Sequence, residues 1–479
     1  MDAATPAPAA SSRHPSAILS DLKEAARKRV PTYEERIDAL DRLQAALVAR
    51  KDAIVRAVAA DFGHRSKHET LMGDILPVLG AIQHTKTHLR DWMEPEDRET
   101  DWVHFPSTSK VIHQPLGVVG IIAPWNYPLQ LTLSPLVGAV AAGNRSMIKP
   151  SELAPRSADV LRDVVGDAFA ADWVAVVTGG QEVAETFAAL PFDHLIFTGS
   201  TRVGKLVMRA ASDNLVPVTL ELGGKSPAIV GRDYDAGTAA SRIMCGKTFN
   251  AGQTCIAPDY ALVPTDARGS FVEGCRAAVT RMYPTLAGNP DYSGIASDAH
   301  YERLRALVDD ARSQGAEVVE LDPANEKPGA DATARKIAPT LLLGVTDSMH
   351  CMQDEIFGPL LPIVTYAGID QAIAHVNARP RPLALYYFGH SEAETNRVLT
   401  ETLSGGVTIN DTLLHIMQND LPYGGVGASG MGKYHSREGF LALSHQKSVF
   451  RQSWIRARGL LVPPYRATAD RLLRFLLGA

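Results

Sequence analysis

His194-Leu195-Ile196-Phe197-Thr198-Gly199-Ser200-Thr201-Arg202-Val203-Gly204-Lys205-Leu206 changes its period midway. Residues 194–198 suit a strand buried on both faces, Thr198-Gly199-Ser200 is a turn of small residues, and 202–211 carries helical spacing. The same unit recurs on either side. Strands are expected at 144–149, 173–178 and 217–222, with helices at 158–169 and 181–190 between them. Alternation at these lengths implies a parallel sheet covered on both faces, an α/β fold. A second alternating block follows from 226, with strands near 228–230, 261–263, 317–321, 340–343, 361–365 and 383–388, and a last section begins at 405–410.

Upstream, 16–29, 32–60 and 69–92 show helical spacing, 94–101 is charged and turn-like, and 102–112 reads as a strand or hairpin broken at Pro106. Residues 117–144 carry no charge, but Pro124, Asn126, Pro128 and Pro135 would break a lipid-exposed helix. A buried strand at 117–123, a turn and a buried helix fit better. A chain of 479 residues exceeds one compact core, so two or three domains are expected. The net charge of −5 gives no footprint for nucleic acid or an anionic membrane. The 4 cysteines lack C-x-x-C spacing, which argues against a disulfide framework and for a reducing compartment. No metal site is expected, since His64, His68 and His84 are isolated and H-E-x-x-H is absent. Residues 1–15 form an Ala/Pro/Ser-rich tail without the apolar core of a signal peptide.

Two glycine patterns mislead. Gly425-x-Gly427-x-x-Gly430 matches a dinucleotide fingerprint but does not open a βαβ unit. The run 199–206 nearly matches a P-loop, yet Leu206 stands where a Mg²⁺-binding hydroxyl belongs. Its strand–turn–helix context still suits either a plain βα turn or a site where helix N–H groups receive a pyrophosphate.

Chemistry concentrates elsewhere. In Phe249-Asn250-Ala251-Gly252-Gln253-Thr254-Cys255 a thiol follows a Gly-containing loop, and Glu221-Leu222-Gly223-Gly224-Lys225-Ser226-Pro227 supplies a carboxylate. A nucleophilic thiol and a separate carboxylate base suit covalent acyl transfer, although a free cysteine is more often a small core residue. Asn126, in a proline-bracketed turn, can donate to an oxyanion or simply bond its own backbone. Lys149-Pro150-Ser151-Glu152 leaves a strand end, where α/β sheets bind ligands, though a Lys and a Glu in a loop are usually just solvated.

These stretches resemble the glutamate and cysteine signatures of the aldehyde dehydrogenase superfamily. Gly252-Gln253-Thr254-Cys255-Ile256-Ala257-Pro258-Asp259-Tyr260 is similar to its class 3 and coniferyl aldehyde dehydrogenase branch. The resemblance implies a Rossmann-type cofactor domain (1–100 and 113–221), an α/β catalytic domain (222–409) and a small bridging and oligomerisation element (101–112 and 410–479). It implies that Cys255 carries a thioester, that Glu221 activates the water that removes it, and that Asn126 with the Cys255 N–H holds the oxyanion. The Pro124-Trp125-Asn126-Tyr127-Pro128, Phe197-Thr198-Gly199-Ser200 and Glu355-Ile356-Phe357-Gly358-Pro359 motifs, with the glutamate signature at 221–227, place Trp125, Gly199, Ser200, Gly223, Glu355 and Phe357 around the dinucleotide. In the same way Lys149 and Glu152 are implied as a ribose clamp. NAD is the first expectation and NADP the second. The nearby N–H array or a base would favour the Cys255 thiolate.

The resemblance further implies an apolar aldehyde as substrate, aromatic or medium-to-long chain, in a cytoplasmic homodimer. Two alternatives stand beside it. One is a fatty-aldehyde enzyme docked on membrane through Leu472, Leu473, Phe475, Leu476 and Leu477; the other is a catalytically silent protein on the same fold. Packing of that tail against the protein, over the substrate entrance, is favoured.

Overall fold

The computed structural model describes residues 13–328, 335–454 and 462–478. Most of the N-terminal tail lies outside them, as do residues 329–331 of the stretch 322–331, whose polar Pro/Gly composition reads as a loop. The alternating pattern resolves into two large sheets. In the first, the strands run in the order Gly430–Met431, Val218–Leu222, His194–Gly199, Val118–Ile122, Arg145–Lys149, Val174–Val176. All neighbours are parallel except Gly430–Met431, which caps one edge antiparallel with Gly430 opposite Glu221. The second has seven strands, in the order Glu317–Glu320, Thr340–Leu343, Leu360–Tyr366, Tyr260–Pro264, Pro227–Val230, Ala384–Phe388, Gly406–Ile409. It too is parallel apart from its first strand.

The central strands are buried along nearly their whole length because helices cover both faces. The uncharged stretch forms strand Val118–Ile122 and helix Gln130–Ala142, every residue of which is buried, and Gly143 closes that helix at φ +87°. Among the described residues no helix is long and apolar enough to cross a membrane.

Three expectations change near the N-terminus. Residues 32–60 divide at Arg50 into helices Tyr33–Ala49 and Lys51–Asp61, the first closed by a Thr32–Glu35 capping box. The helix expected at 69–92 contains a π turn, Leu71–Ile75, between Lys67–Thr70 and Leu76–Met93. Pro77 has no N–H to give to the turn before it, and the wider turn accommodates that loss. The charged stretch 94–101 is not all turn, since Glu96–Arg98 pairs with Thr108–Pro115. That strand starts only after Pro106, preceded by a short turn at Trp102–His104. With Ser444–Arg451 it makes a three-stranded antiparallel sheet whose last strand is almost wholly exposed. Helix Ala467–Leu477 buries only Ala469; Phe475 meets Trp102 edge-on, and Leu473 and Leu477 stay exposed, so the tail does not pack its apolar face onto this chain.

Candidate active site

A cleft of about 290 Å³ opens where strands Val118–Ile122, His194–Gly199 and Val218–Leu222 end against loops of the seven-stranded sheet. Nine residues singled out in the sequence line it: Trp125, Asn126, Gly199, Ser200, Glu221, Gly223, Cys255, Glu355 and Phe357. Lys149 and Glu152 do not. Lys149 is buried below its strand end, with Nζ donating to Pro150 O at 2.8 Å and to Glu152 Oε2 at 3.0 Å.

Helix Ala236–Thr248 leads into the thiol loop. Beyond Phe249, the residues Asn250, Ala251 and Gly252 have φ of +53°, +51° and +76°. Such backbone costs about 1–3 kcal/mol per non-glycine residue and persists only when the surroundings hold it. Here they do. The Asn250 Nδ2 donates to Asn126 O at 3.1 Å and to Gln253 O at 3.2 Å. The buried Gln253 amide donates to Asn250 O at 2.9 Å and Gly294 O at 3.0 Å, and accepts from Ala296 N at 2.9 Å. Gly252 admits no side chain, because a Cβ would lie 2.2 Å from the Gly358 carbonyl oxygen. The thiol loop therefore rests on the turn that follows Glu355 and Phe357.

Cys255 is half-buried, its Sγ 3.5 Å from the Tyr423 hydroxyl. Burial pushes its thiol up to about 12; the Tyr423 hydrogen bond acts downward, while Glu355 and Glu221 push it higher. Burial in this cleft works against the thiolate, so of the two routes expected to it the one through a proton acceptor is the one the site calls for. Glu221 is buried and neither carboxylate oxygen has a hydrogen-bond partner. Burial raises its pKa well above the ordinary carboxylate range, and Lys433 pulls the other way. A buried acceptor left unmade costs about 1–3 kcal/mol, so an unpaired carboxyl facing a cleft marks a functional group. The Asn126 Nδ2 donates to Gln253 O at 3.1 Å, which leaves the amide a second N–H for the cleft.

The opposite wall fits a dinucleotide. Thr198-Gly199-Ser200 opens helix Thr201–Ser212, whose first turn offers unpaired amides. The Ser200 Oγ accepts from Val203 N at 3.3 Å, so this hydroxyl is a helix cap, while the buried Thr198 Oγ1 has no partner. A Cβ on Gly223 would lie 1.9 Å from Glu355 Oε2, so glycine is what lets that carboxylate reach the cleft. Burial raises Glu355 to about 8, helped by Asp259; Lys225 and Arg303 oppose the rise. Phe357, at φ +51°, sits edge-on to Trp125 at 5.4 Å, and His300 covers Trp125 at 4.7 Å.

Several residues were not recognised in advance. Lys225 Nζ bonds Asp259, Cys351 O at 2.7 Å and Asp354 O at 3.0 Å. Asp259 accepts from Ile356 N at 2.9 Å, and Arg303 donates to Glu355 O at 3.2 Å. Together they set the Glu355 loop. Lys225 and Asp259 both fall inside the quoted motifs, but nothing local pairs them. Tyr423, two residues before the Gly425-x-Gly427-x-x-Gly430 run, gave no signal of its contact with Cys255. Behind it lies a second cavity of about 220 Å³, lined by Gln130, Ser134, Tyr434 and His435 among others. The Tyr423 ring stacks on His435 at 4.8 Å and stands edge-on to Tyr434 at 6.1 Å, so the residue that meets the Cys255 sulfur also packs on two residues lining this cavity. The His435 Nε2 is buried without a partner, and the buried Tyr434 Oη has Gln130 beside it.

Residues 7–449 match the model of the aldehyde dehydrogenase family. The chain is 51% identical over 425 residues to a probable coniferyl aldehyde dehydrogenase of Caulobacter vibrioides, covering 88% of this chain and 87% of the relative. It is 47% identical over 462 residues to a coniferyl aldehyde dehydrogenase of Pseudomonas sp., covering 96% and 95%. The substrate-bound structure of Staphylococcus aureus AldH superposes with a TM-score of 0.90 at 40% identity, over 96% of this chain and 99% of that one.

Proposed function

Because the chain belongs to the aldehyde dehydrogenase family, we propose that its cleft oxidises an aromatic aldehyde of the coniferyl type to the carboxylic acid. The observation that carries this is one cavity lined by a thiol, an unpaired carboxyl and a carboxamide N–H, opposite a helix N-terminus and a buried carboxylate. The Cys255 thiol gives up its proton to water in the cleft as the sulfur adds to the aldehyde carbonyl. The Asn126 amide and the Cys255 N–H hold the oxyanion, each such donor being worth about 3 kcal/mol. Members of the family take the hydride onto NAD or NADP, which is the chemistry the dinucleotide supplies. Here Glu355, Phe357, Trp125, Gly223 and the Gly199-Ser200 helix start would hold it, with Lys149 and Glu152 farther along the strand ends. Glu152 favours NAD, since its carboxylate would repel a 2′-phosphate. After hydride loss the acyl group remains on Cys255 as a thioester. Glu221 then deprotonates the attacking water, and the thioester bond breaks to release the acid.

In this reading the six-stranded sheet belongs to a cofactor domain (1–100 and 113–221) and the seven-stranded sheet to a catalytic domain (222–409). Segments 101–112 and 410–479 bridge them, and the exposed strand Ser444–Arg451 is the surface for a second copy of a cytoplasmic homodimer. The substrate proposal rests on the two named relatives and on the aromatic residues Tyr423, Tyr434 and His435 that run from Cys255 to the second cavity. That cavity accepts the ring and its substituents. The test is a panel of aldehydes assayed with NAD⁺ and NADP⁺ separately. Hydroxylated cinnamaldehydes are expected to give a higher kcat/KM than saturated aldehydes of the same length; the reverse order rejects the substrate proposal. Tyr434→Phe removes the buried hydroxyl from the lining of that cavity. It is expected to lower kcat/KM for coniferyl aldehyde by about fivefold to tenfold, the worth of one hydrogen bond, and to leave unsubstituted cinnamaldehyde unaffected.

A further inference from the structure

One short segment, residues 65–74, touches both turns that carry the proposed chemistry. Arg65 and Asp74 form an ion pair at 3.1 Å with both side chains fully buried. The Arg65 Nη1 donates to Asn126 O at 2.9 Å, and its guanidinium lies 4.7 Å above the Tyr127 ring. Asp74 Oδ1 accepts from Leu129 N at 3.0 Å and Gln130 N at 3.2 Å. Helix Gln130–Ala142 has no cap from its own N-cap residue, so Asp74 supplies one from a distance. This pair therefore grips the Asn126 turn at both ends.

Glu69 reaches the other turn. It is buried, and Oε1 accepts from Asn250 N at 3.0 Å, the first of the three residues in left-handed backbone before Cys255. Its other oxygen accepts from the Ser293 hydroxyl. Buried charges are costly unless matched, and the hydrogen bonds here go largely to backbone atoms of these two turns. The two turns are also tied directly, through Asn126 Nδ2 to Gln253 O and Asn250 Nδ2 to Asn126 O. That direct tie fixes contact between them. It does not set the angle at which each leaves its own strand or helix, and the 65–74 segment does.

We propose that Arg65, Glu69 and Asp74 are positioning residues that hold the Asn126 amide in register with the Cys255 loop, so that both donors meet one oxyanion. The proposal rests on the oxyanion role assigned to Asn126 above. A misplacement of about 1 Å costs up to about a hundredfold in rate without touching the reacting groups, and kcat and kcat/KM then fall together.

The experiment is single-turnover NADH formation, per titrated active site, in Glu69→Ala, Glu69→Gln and Asn126→Ala, with the melting temperature recorded for each. Glu69→Gln keeps an acceptor for the Asn250 N–H. Glu69→Ala is expected to slow hydride transfer about tenfold to a hundredfold with an unchanged dinucleotide Kd, and Glu69→Gln to remain within about threefold of the parent rate. If Glu69→Ala does not fold, Ser293→Ala loosens Glu69 from its other side, and slower hydride transfer in it supports the same conclusion. Slow Asn126→Ala beside a full-speed Glu69→Ala, or a full-speed Ser293→Ala where that variant stands in, overturns the positioning role alone. A full-speed Asn126→Ala overturns the oxyanion assignment and the positioning role with it.

Discussion

Cys255→Ala is expected to produce no NADH, with a loss of at least about 10⁴-fold in kcat, because removing a nucleophile from a unit that acts together forfeits nearly all of its rate. Dinucleotide binding should persist, since the walls implied for it are Glu355, Phe357 and the helix at Thr201, none of which needs the sulfur. The fold should persist too. Cys255 is only half-buried, and the strained loop before it is held through Asn250 and Gln253. Retained turnover in a folded Cys255→Ala would remove the thiol from the mechanism. Because the thiol is pushed up to about 12, alkylation of wild-type Cys255 should be slow at neutral pH and accelerate as pH rises.

Glu221→Gln separates the two halves of the reaction. Hydride transfer should still give a burst of one NADH per active site, while steady-state turnover falls about 10²- to 10⁴-fold, the usual worth of a general base. The sign of the pH dependence follows from burial. The pKa of Glu221 is raised, so the basic form is lost as pH falls through that raised value. Parent turnover should therefore climb with pH across a range well above the ordinary carboxylate titration, and that limb should vanish in Glu221→Gln. Equal rates in parent and variant at every pH would assign the base elsewhere.

Those two residues were readable because their runs resemble the glutamate and cysteine signatures of the family, and Gly252-Gln253, poor core material before the thiol, added to that. The sheets were readable for another reason. Strands buried on both faces read as short apolar runs, and 340–343 emerges with the same limits in the structure. What stayed hidden depends on pairing across long stretches of chain. Arg65 and Glu69 look like ordinary helix-start charges, and only the fold buries them beneath Asn126 and Asn250. Tyr423 reaches Cys255 across 168 residues. The sign of the Cys255 shift was also beyond local reading, because it comes from burial and from Glu355 and Glu221 acting through space. The break at 71–75 was missed because a π turn has no spacing signature of its own, although Pro77 marks where to look.

The most direct test of the account is the intact mass of Glu221→Gln mixed with NAD⁺ and a cinnamaldehyde and quenched in acid during the burst, followed by peptide mapping. The account predicts one added cinnamoyl group per chain, on Cys255. An unmodified chain at full NADH burst, or an acyl group mapped to Cys245, Cys275 or Cys351, would contradict it.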